Sequence, residues 1–189
     1  MKKVITMLLL FSTVVFAQQK GTFTDSRDNK TYKAVKIAQA WWMAENLNYA
    51  ASGSKCYDNN SWNCTKYGRL YDWNAAMRAC PYGWHLPSNA EWDMLVAYAG
   101  GEETAGKNLN AKSGWYDGNG TDQYGFSALP GGYGEWDGSF NFVGLFGYWW
   151  SATESNTSNA YGWGISHIRI IFSYNTHKSD LYSVRCVQD

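Results

Sequence analysis

The sequence predicts a single α+β domain. Strand-like segments lie towards both ends of the chain, and between them stand two helical segments and a long irregular region. Residues 18–189, which remain after a predicted leader, are enough for one domain with its own hydrophobic core. We expect two helices packed on short antiparallel sheets, with disulfides holding the irregular region in place.

A secretory signal peptide is predicted over residues 1–17. Lys2 and Lys3 form a positive start, residues 4–15 are apolar, and Ala17 ends a small-residue cleavage site. The apolar run is too short to span a membrane, and no cysteine follows the cleavage site to carry a lipid anchor. We therefore expect a bacterial protein that is secreted, periplasmic or at the cell surface, with no transmembrane segment after cleavage.

The first structural element is predicted to be a hairpin over residues 22–37. Its turn is Asp28-Asn29-Lys30, and residues 41–43 continue as a further strand. Residues 50–64 are polar and small, which predicts a loop.

Four cysteines in an exported chain indicate two disulfides, for which three pairings exist. Cys56 and Cys64 are close enough in the chain to close a small ring within the predicted loop. If Cys80 follows the first helix and Cys186 lies in the last strand, the other bridge ties the helices to the closing sheet. The spacing of the four does not match a metal site.

Apolar residues at helical spacing predict one helix over residues 68–79 and another from Pro87 to about Tyr98. Ser88 and Glu91 have the spacing of a capping box, in which each side chain accepts from the other residue's backbone N–H. His85 stands just before this helix. We expect it to have a structural role, because only Cys80 is near enough in sequence to act with it in catalysis.

Residues 100–147 show no regular period, but their aromatic content argues against disorder. If exposed, four of their rings would form a platform on which a sugar stacks; if buried, they would order the loops. These four rings are the candidate ligand-binding residues Trp115, Tyr116, Tyr133 and Trp136.

The strand pattern returns after the irregular region, at residues 148–152, 164–174 and 181–187.

The same irregular region contains one candidate metal site and one candidate acid pair. Asp117, Asn119 and Asp122 alternate as oxygen ligands do in a calcium loop, although the loop departs from the EF-hand pattern and also suits an ordinary turn. No cofactor other than calcium is expected. Glu135 and Asp137 are two residues apart and could act as an acid pair, but nothing else in the sequence converges on them.

The charge balance excludes one class of partner. The chain has 16 basic and 16 acidic residues, without a basic run. Nucleic-acid binding proteins concentrate positive charge, so we expect no nucleic-acid partner.

Several segments in order resemble the Fibrobacter succinogenes major paralogous domain: DSRDNKTYKAVKI, WWMAENLNY, KCYDNNSWNC, YGRLYDWNAAM, CPYGWHLPS, YGFSALPGGYG, YWWSATE and YSVRCVQD. This resemblance covers residues 22–189. GWHLPSNAEWDML is also similar to the helix start of the formylglycine-generating, sulfatase-modifying family. Together they imply a secreted or cell-surface module with a C-type-lectin-like fold.

The chemistry of these relatives does not carry over to this chain. The sulfatase-modifying enzymes bind copper through a late cysteine pair, whereas only Cys186 stands there in this chain. Calcium-dependent lectins flank a proline with acidic or amide residues, and Pro130 has none. The leading hypothesis is therefore an exported, non-catalytic module that binds a glycan or a protein partner at the cell surface. The alternative is a structural envelope protein without a small ligand. The sequence does not predict the oligomeric state.

Overall fold

The computed structural model describes residues 18–189, so the predicted signal peptide lies outside the described residues. Within this range the chain is α+β, as predicted, with four α-helices, one short 3-10 helix and thirteen strands. None of the helices from residue 18 onward has the length and apolar character needed to cross a membrane.

The strands are mostly short and antiparallel. They are β1 (Lys20–Asp25), β2 (Lys30–Ile37), β3 (Ala40–Met43), β4 (Ser54–Lys55), β5 (Leu70–Tyr71), β6 (Trp84–His85), β7 (Tyr133–Gly134), β8 (Phe140–Asn141), β9 (Phe146–Glu154), β10 (Asn159–Ser166), β11 (Ile171–His177), β12 (Tyr182–Ser183) and β13 (Val187–Gln188). They form a five-stranded sheet in the order β1-β2-β3-β13-β6, a six-stranded sheet in the order β11-β10-β9-β12-β5-β4, and the separate pair β7-β8.

The four α-helices correct the prediction of two. They are α1 (Ser61–Tyr67), α2 (Trp73–Ala79), α3 (Asn89–Tyr98) and α4 (Glu102–Leu109). Helix α1 lies partly in the predicted loop, where the Asn60 side chain accepts from the backbone N–H of Trp62. Helix α4 lies in the region predicted to be irregular, and its buried Ala105 and Leu109 hold it to the core.

Helix α2 begins at Trp73, later than predicted. Leu70 and Tyr71 instead form β5, which pairs with β12 on one side and β4 on the other. The Asp72 side chain then accepts from the backbone N–H of Ala75 at 2.8 Å and caps the helix. Pairing within the sheet therefore overrides the helical spacing in this segment.

The predicted strand over residues 164–174 is two strands joined by a tight turn. Ile165 pairs with Ile171, so β10 and β11 form a hairpin. Arg169 has a φ of 69°, and the Ser166 hydroxyl accepts from the backbone N–H of Ile170 at 3.1 Å. No glycine, asparagine or proline marks this turn in the sequence, which explains why it was missed.

Both disulfides are present and follow the expected pairing. Cys56 bonds Cys64, and Cys80 bonds Cys186 across a sequence separation of 106 residues. Cys80 ends α2, and Cys186 directly precedes β13. The longer bridge therefore joins the helical layer to the closing strand, as expected.

The largest core cluster lies between α3, α4 and the sheets. Trp92 of α3 is fully buried at its centre, with its ring 5.1 Å from Trp42 and 6.0 Å from Trp163. Trp149 from β9 belongs to the same cluster. Residues two apart on a strand share a face. Tyr148 and Trp150 therefore point to one side of the six-stranded sheet, and Trp149 points to the other.

Candidate functional site

Aromatic side chains follow one another along the other side of the six-stranded sheet. Tyr148 of β9 lies beside Phe172 and Tyr174 of β11, with centroid distances of 6.4 Å and 5.6 Å. The buried Tyr182 of β12 lies beneath them, 5.5 Å from Tyr148. We call five partly buried rings of this surface, together with the exposed Phe142, the aromatic face: Tyr133, Phe142, Phe146, Tyr148, Phe172 and Tyr174.

Glycines in β10 make room for two of these rings. A Cβ on Gly164 would lie 2.5 Å from the tip of the Phe172 ring, and one on Gly162 would lie 2.7 Å from the Tyr174 hydroxyl. Both rings therefore reach across the central strand in the space that side chains of β10 would otherwise fill. The result is a continuous aromatic surface over β9, β10 and β11.

The region around β7 and β8 extends this surface at one end. Tyr133 lies 6.0 Å from Phe142 and 5.2 Å from Tyr148. Phe142 then contacts Phe146 at 5.4 Å. Phe142 is 47% exposed, which makes it the most accessible ring of the aromatic face.

Polar groups lie at the rim of the aromatic face. The Tyr133 hydroxyl donates to Glu135 Oε1 at 2.8 Å, and the Asn141 amide donates to the same oxygen at 3.0 Å. Burial raises the pKa of Tyr148 to about 12. The Tyr148 hydroxyl is therefore neutral at physiological pH. Rings beside a carboxylate and an amide give a surface that offers both stacking and hydrogen bonding.

The structure separates the four ring residues predicted as a platform. Trp115 is only 5% exposed, and its indole N–H donates to the backbone oxygen of Ala128. Of the two alternatives, the buried one therefore holds for Trp115, which corrects its place among the candidate ligand-binding residues. Its ring fills the main core, because the loop around it has few other apolar side chains. Tyr116 and Trp136 are 82% and 74% exposed. Only Tyr133 belongs to the aromatic face.

The three candidate calcium ligands differ in their surroundings. Asn119 Oδ1 accepts from the backbone N–H of Trp115 at 3.2 Å. Asp122 accepts from the backbone N–H and the hydroxyl of Ser127, at 2.7 Å and 2.6 Å. Asp117 is exposed. Across residues 18–189, no three His, Cys, Asp or Glu residues lie close enough together to hold a metal ion. Two of the three side chains thus stabilise loops.

Glu135 and Asp137 lie in the hairpin between β7 and β8. Glu135 is the rim carboxylate described above, while Asp137 Oδ1 accepts from the backbone N–H of Ser139 at 2.9 Å. This hydrogen bond lowers the pKa of Asp137. Asp137 is therefore ionised at neutral pH, whereas a general acid needs a raised pKa.

The capping box before α3 is confirmed, and His85 extends it. The Ser88 hydroxyl accepts from the Glu91 N–H, and Glu91 Oε2 accepts from the Ser88 N–H. His85 Nε2 lies 2.7 Å from Glu91, and its Nδ1 lies 2.6 Å from Asp189. The imidazole thus joins the start of α3 to the end of the chain, and a protonated ring satisfies both carboxylates.

This bridge predicts a pH-dependent stability. Burial acts to lower the pKa of His85, but hydrogen bonds to Glu91 and Asp189 outweigh burial and raise the pKa. The stabilisation is therefore fully present below the ordinary histidine pKa of about 6.5. It is lost as the pH rises through the raised folded-state pKa. Urea unfolding at stepped pH should show this loss for the wild type, and a smaller loss for His85→Gln. Equal pH dependence of the two proteins would contradict the bridge.

Five of the six residues of the aromatic face were not predicted from the sequence. The sequence did contain a signal for these residues. Aromatic residues recur at every second position in FGYWW and IFSYN, and glycines do so in YGWGIS. Period-two patterns place such residues on one face of a strand. Strand pairing was needed to show that Gly164 stands opposite both Tyr148 and Phe172.

These features define a disulfide-stabilised α+β module with an aromatic sheet face. The chain belongs to the Fibrobacter succinogenes major domain family, whose model matches residues 35–188. A search of curated proteins gave no match, and a search of solved structures also gave none.

Proposed function

We propose that the protein is an exported, non-catalytic binding module and that its aromatic face takes up a glycan chain. One observation carries the proposal: six rings from β9, β11 and the β7–β8 region form a continuous, partly exposed surface, with Glu135 and Asn141 at the rim. Contiguous exposed apolar surface marks interaction sites. A sugar ring presents C–H groups to an aromatic face and hydroxyls to the polar groups beside it.

Export and a C-type-lectin-like fold are parts of the same proposal. The signal-peptide pattern of residues 1–17 supports export, and the two disulfides are compatible with an oxidising compartment. The order of the family motifs and the α+β architecture support the relationship to C-type lectins.

The test compares Phe142→Ala with Tyr82→Ala. Phe142 is the most exposed ring of the aromatic face, whereas Tyr82 is fully exposed in the turn before β6. Binding of the oxidised protein to neutral polysaccharides such as cellulose, xylan and mannan is measured by depletion from solution. A stacked ring contributes about 0.5–1.5 kcal/mol, so Phe142→Ala is expected to weaken binding by up to about tenfold.

Tyr82→Ala should bind as the wild type does. Equal weakening by both variants would place the binding outside the aromatic face. If folded wild type retained both disulfides but bound no glycan, the proposal would be overturned in favour of the structural envelope role.

A further inference from the structure

A groove of about 660 Å³ lies away from the aromatic face, against the β1–β2 hairpin. Its other walls are the segment over residues 44–48, the end of α1 and the loop over residues 122–129. The volume falls within the range of about 300–1,000 Å³ that is typical of small-ligand sites. We call it the basic groove, because its charged lining residues are Lys20, Lys30, Lys33, Lys66, Glu45 and Asp122.

Two of the four lysines have no carboxylate partner. Lys30 pairs with Asp28 at 3.2 Å, and Lys33 pairs with Glu45 at 3.5 Å. Among the residues from 18 onward, no carboxylate lies within 4.0 Å of the ammonium groups of Lys20 and Lys66. Asp122 makes no ion pair with either ammonium group, and its oxygens accept hydrogen bonds from Ser127.

A buried arginine adds a further positive charge behind the wall of the groove. Arg185 is fully buried, and its guanidinium donates to Asn46 Oδ1 at 2.7 Å and to Ser127 O at 2.9 Å. Both of these acceptor residues also line the groove. The remaining acceptors are the backbone oxygens of Met43 and Phe126. All four acceptors are uncharged, so no ion pair neutralises the guanidinium directly.

The buried charge persists at neutral pH. Burial lowers the pKa of Arg185 to about 9, although Glu45 and Asp122 act in the opposite direction. A cation in a poorly hydrated site acts over a longer range than one in water. The four lysines and the buried Arg185 are therefore balanced by three carboxylates, Glu45, Asp122 and the Asp28 that pairs with Lys30, which leaves an excess of positive charge at this groove on a chain with a formal net charge of zero.

The neutral lining favours a sugar chain over a peptide. Thr22, Thr31 and Asn48 line the groove together with the lysines and carry hydroxyl and amide groups. Val35 and Ala34 are buried, so they offer no pocket for a large apolar anchor of the kind that peptide sites use. Polar donors between separated ammonium groups suit a chain that carries both hydroxyls and anionic groups.

We propose that the basic groove is a second binding site, which takes an acidic oligosaccharide with carboxylate or sulfate groups along its chain. The groove shares no residue with the aromatic face. Together with the proposed function, on which this last step rests, the second site would let one module hold a neutral and an acidic stretch of glycan on different surfaces.

The test measures the binding of oligogalacturonate and of a heparin-derived oligosaccharide by calorimetry at low and high salt. The two probes distinguish carboxylate from sulfate, and neutral xylohexaose and poly-glutamate serve as comparisons. Lys20→Gln/Lys66→Gln removes the two unpaired charges and should weaken binding of the acidic sugars about tenfold. Added salt should weaken wild-type binding, because it screens partly exposed charges.

The matched control is Lys55→Gln/Lys112→Gln, which changes the net charge equally at exposed positions outside the groove. It should bind acidic sugars as the wild type does, and Phe142→Ala should do the same. Equal weakening by the control pair would show that binding depends on the net charge of the protein and not on the groove, and would overturn the proposal. Absence of binding to both acidic probes would also overturn it, and preference for poly-glutamate would assign the groove to an acidic peptide instead.

Discussion

Removing the Cys80–Cys186 bridge by changing both cysteines to alanine is expected to lower the free energy of unfolding by about 4–5 kcal/mol. The bridge closes a loop with a sequence separation of 106 residues. In the chain-entropy description, cross-linking distant residues restricts the unfolded chain most strongly. The bridge also joins the end of α2 to the strand β13, which pairs with β3 and β6.

Urea unfolding of the oxidised wild type and the double variant, followed by tryptophan fluorescence, measures this loss. Removal of the Cys56–Cys64 bridge is the matched control. That bridge spans only 8 residues, so its loss should lower the free energy of unfolding by about 2–3 kcal/mol. A loss from the longer bridge that did not exceed the loss from the shorter one would contradict the entropic account.

Trp92→Ala is expected to lower the free energy of unfolding by about 3–5 kcal/mol, as large-to-small changes of buried aromatic residues do. Trp92 is fully buried, and its ring lies within 6.2 Å of four others. These neighbours come from β3, β9, β10 and the loop before β7: Trp42, Trp149, Trp163 and Phe126. Its removal leaves a cavity that several elements line together, so the site has little freedom to collapse.

Thermal and urea unfolding of Trp92→Ala, Trp92→Phe and Trp62→Ala test this expectation. Trp92→Phe should cost much less, because a ring remains and the buried indole N–H without a hydrogen-bond partner is removed. Trp62 is 72% exposed on α1, so Trp62→Ala should change the stability by less than about 1 kcal/mol. Similar losses for the two alanine variants would contradict a core centred on Trp92.

Helix α3 supports the proposed glycan site indirectly, because the six-stranded sheet lies between them. Trp149 of β9 packs on Trp92, while Tyr148 of the same strand belongs to the aromatic face. The buried side of the sheet thus fixes the strand whose other side presents the rings. Sites built on strands are held more precisely than sites on loops.

Local signals predicted several elements correctly. Asp28-Asn29-Lys30 marked the first hairpin, and Ser88 with Glu91 marked the start of α3. Both signals depend on neighbours within four residues, where side-chain and backbone chemistry decide the conformation. The pairing of the cysteines also followed from sequence spacing, because Cys56 and Cys64 are near each other in the chain.

Elements that depend on distant contacts were missed. Helix α4 contains Gly106, whose backbone packs so closely on Arg169 that a Cβ would lie 2.0 Å from the Arg169 backbone oxygen. A glycine in a short polar segment argues against a helix when the sequence is considered alone. The turn at residues 167–170 is likewise held by a contact from elsewhere, since the His167 N–H donates to the backbone oxygen of Leu145.

The sequence by itself determined the α+β class, the first hairpin and the capped helix α3. Each of these follows from composition or from residues near one another in the chain. The nearness of Cys56 and Cys64 also indicated their bridge, which left Cys80 and Cys186 to pair. Only the tertiary structure decided which rings face outward. It buried Trp115 in the core, and it set Tyr148, Phe172 and Tyr174 side by side across the glycines of β10. Strand register and packing between distant segments control these positions, because a ring is exposed or buried according to what lies against it.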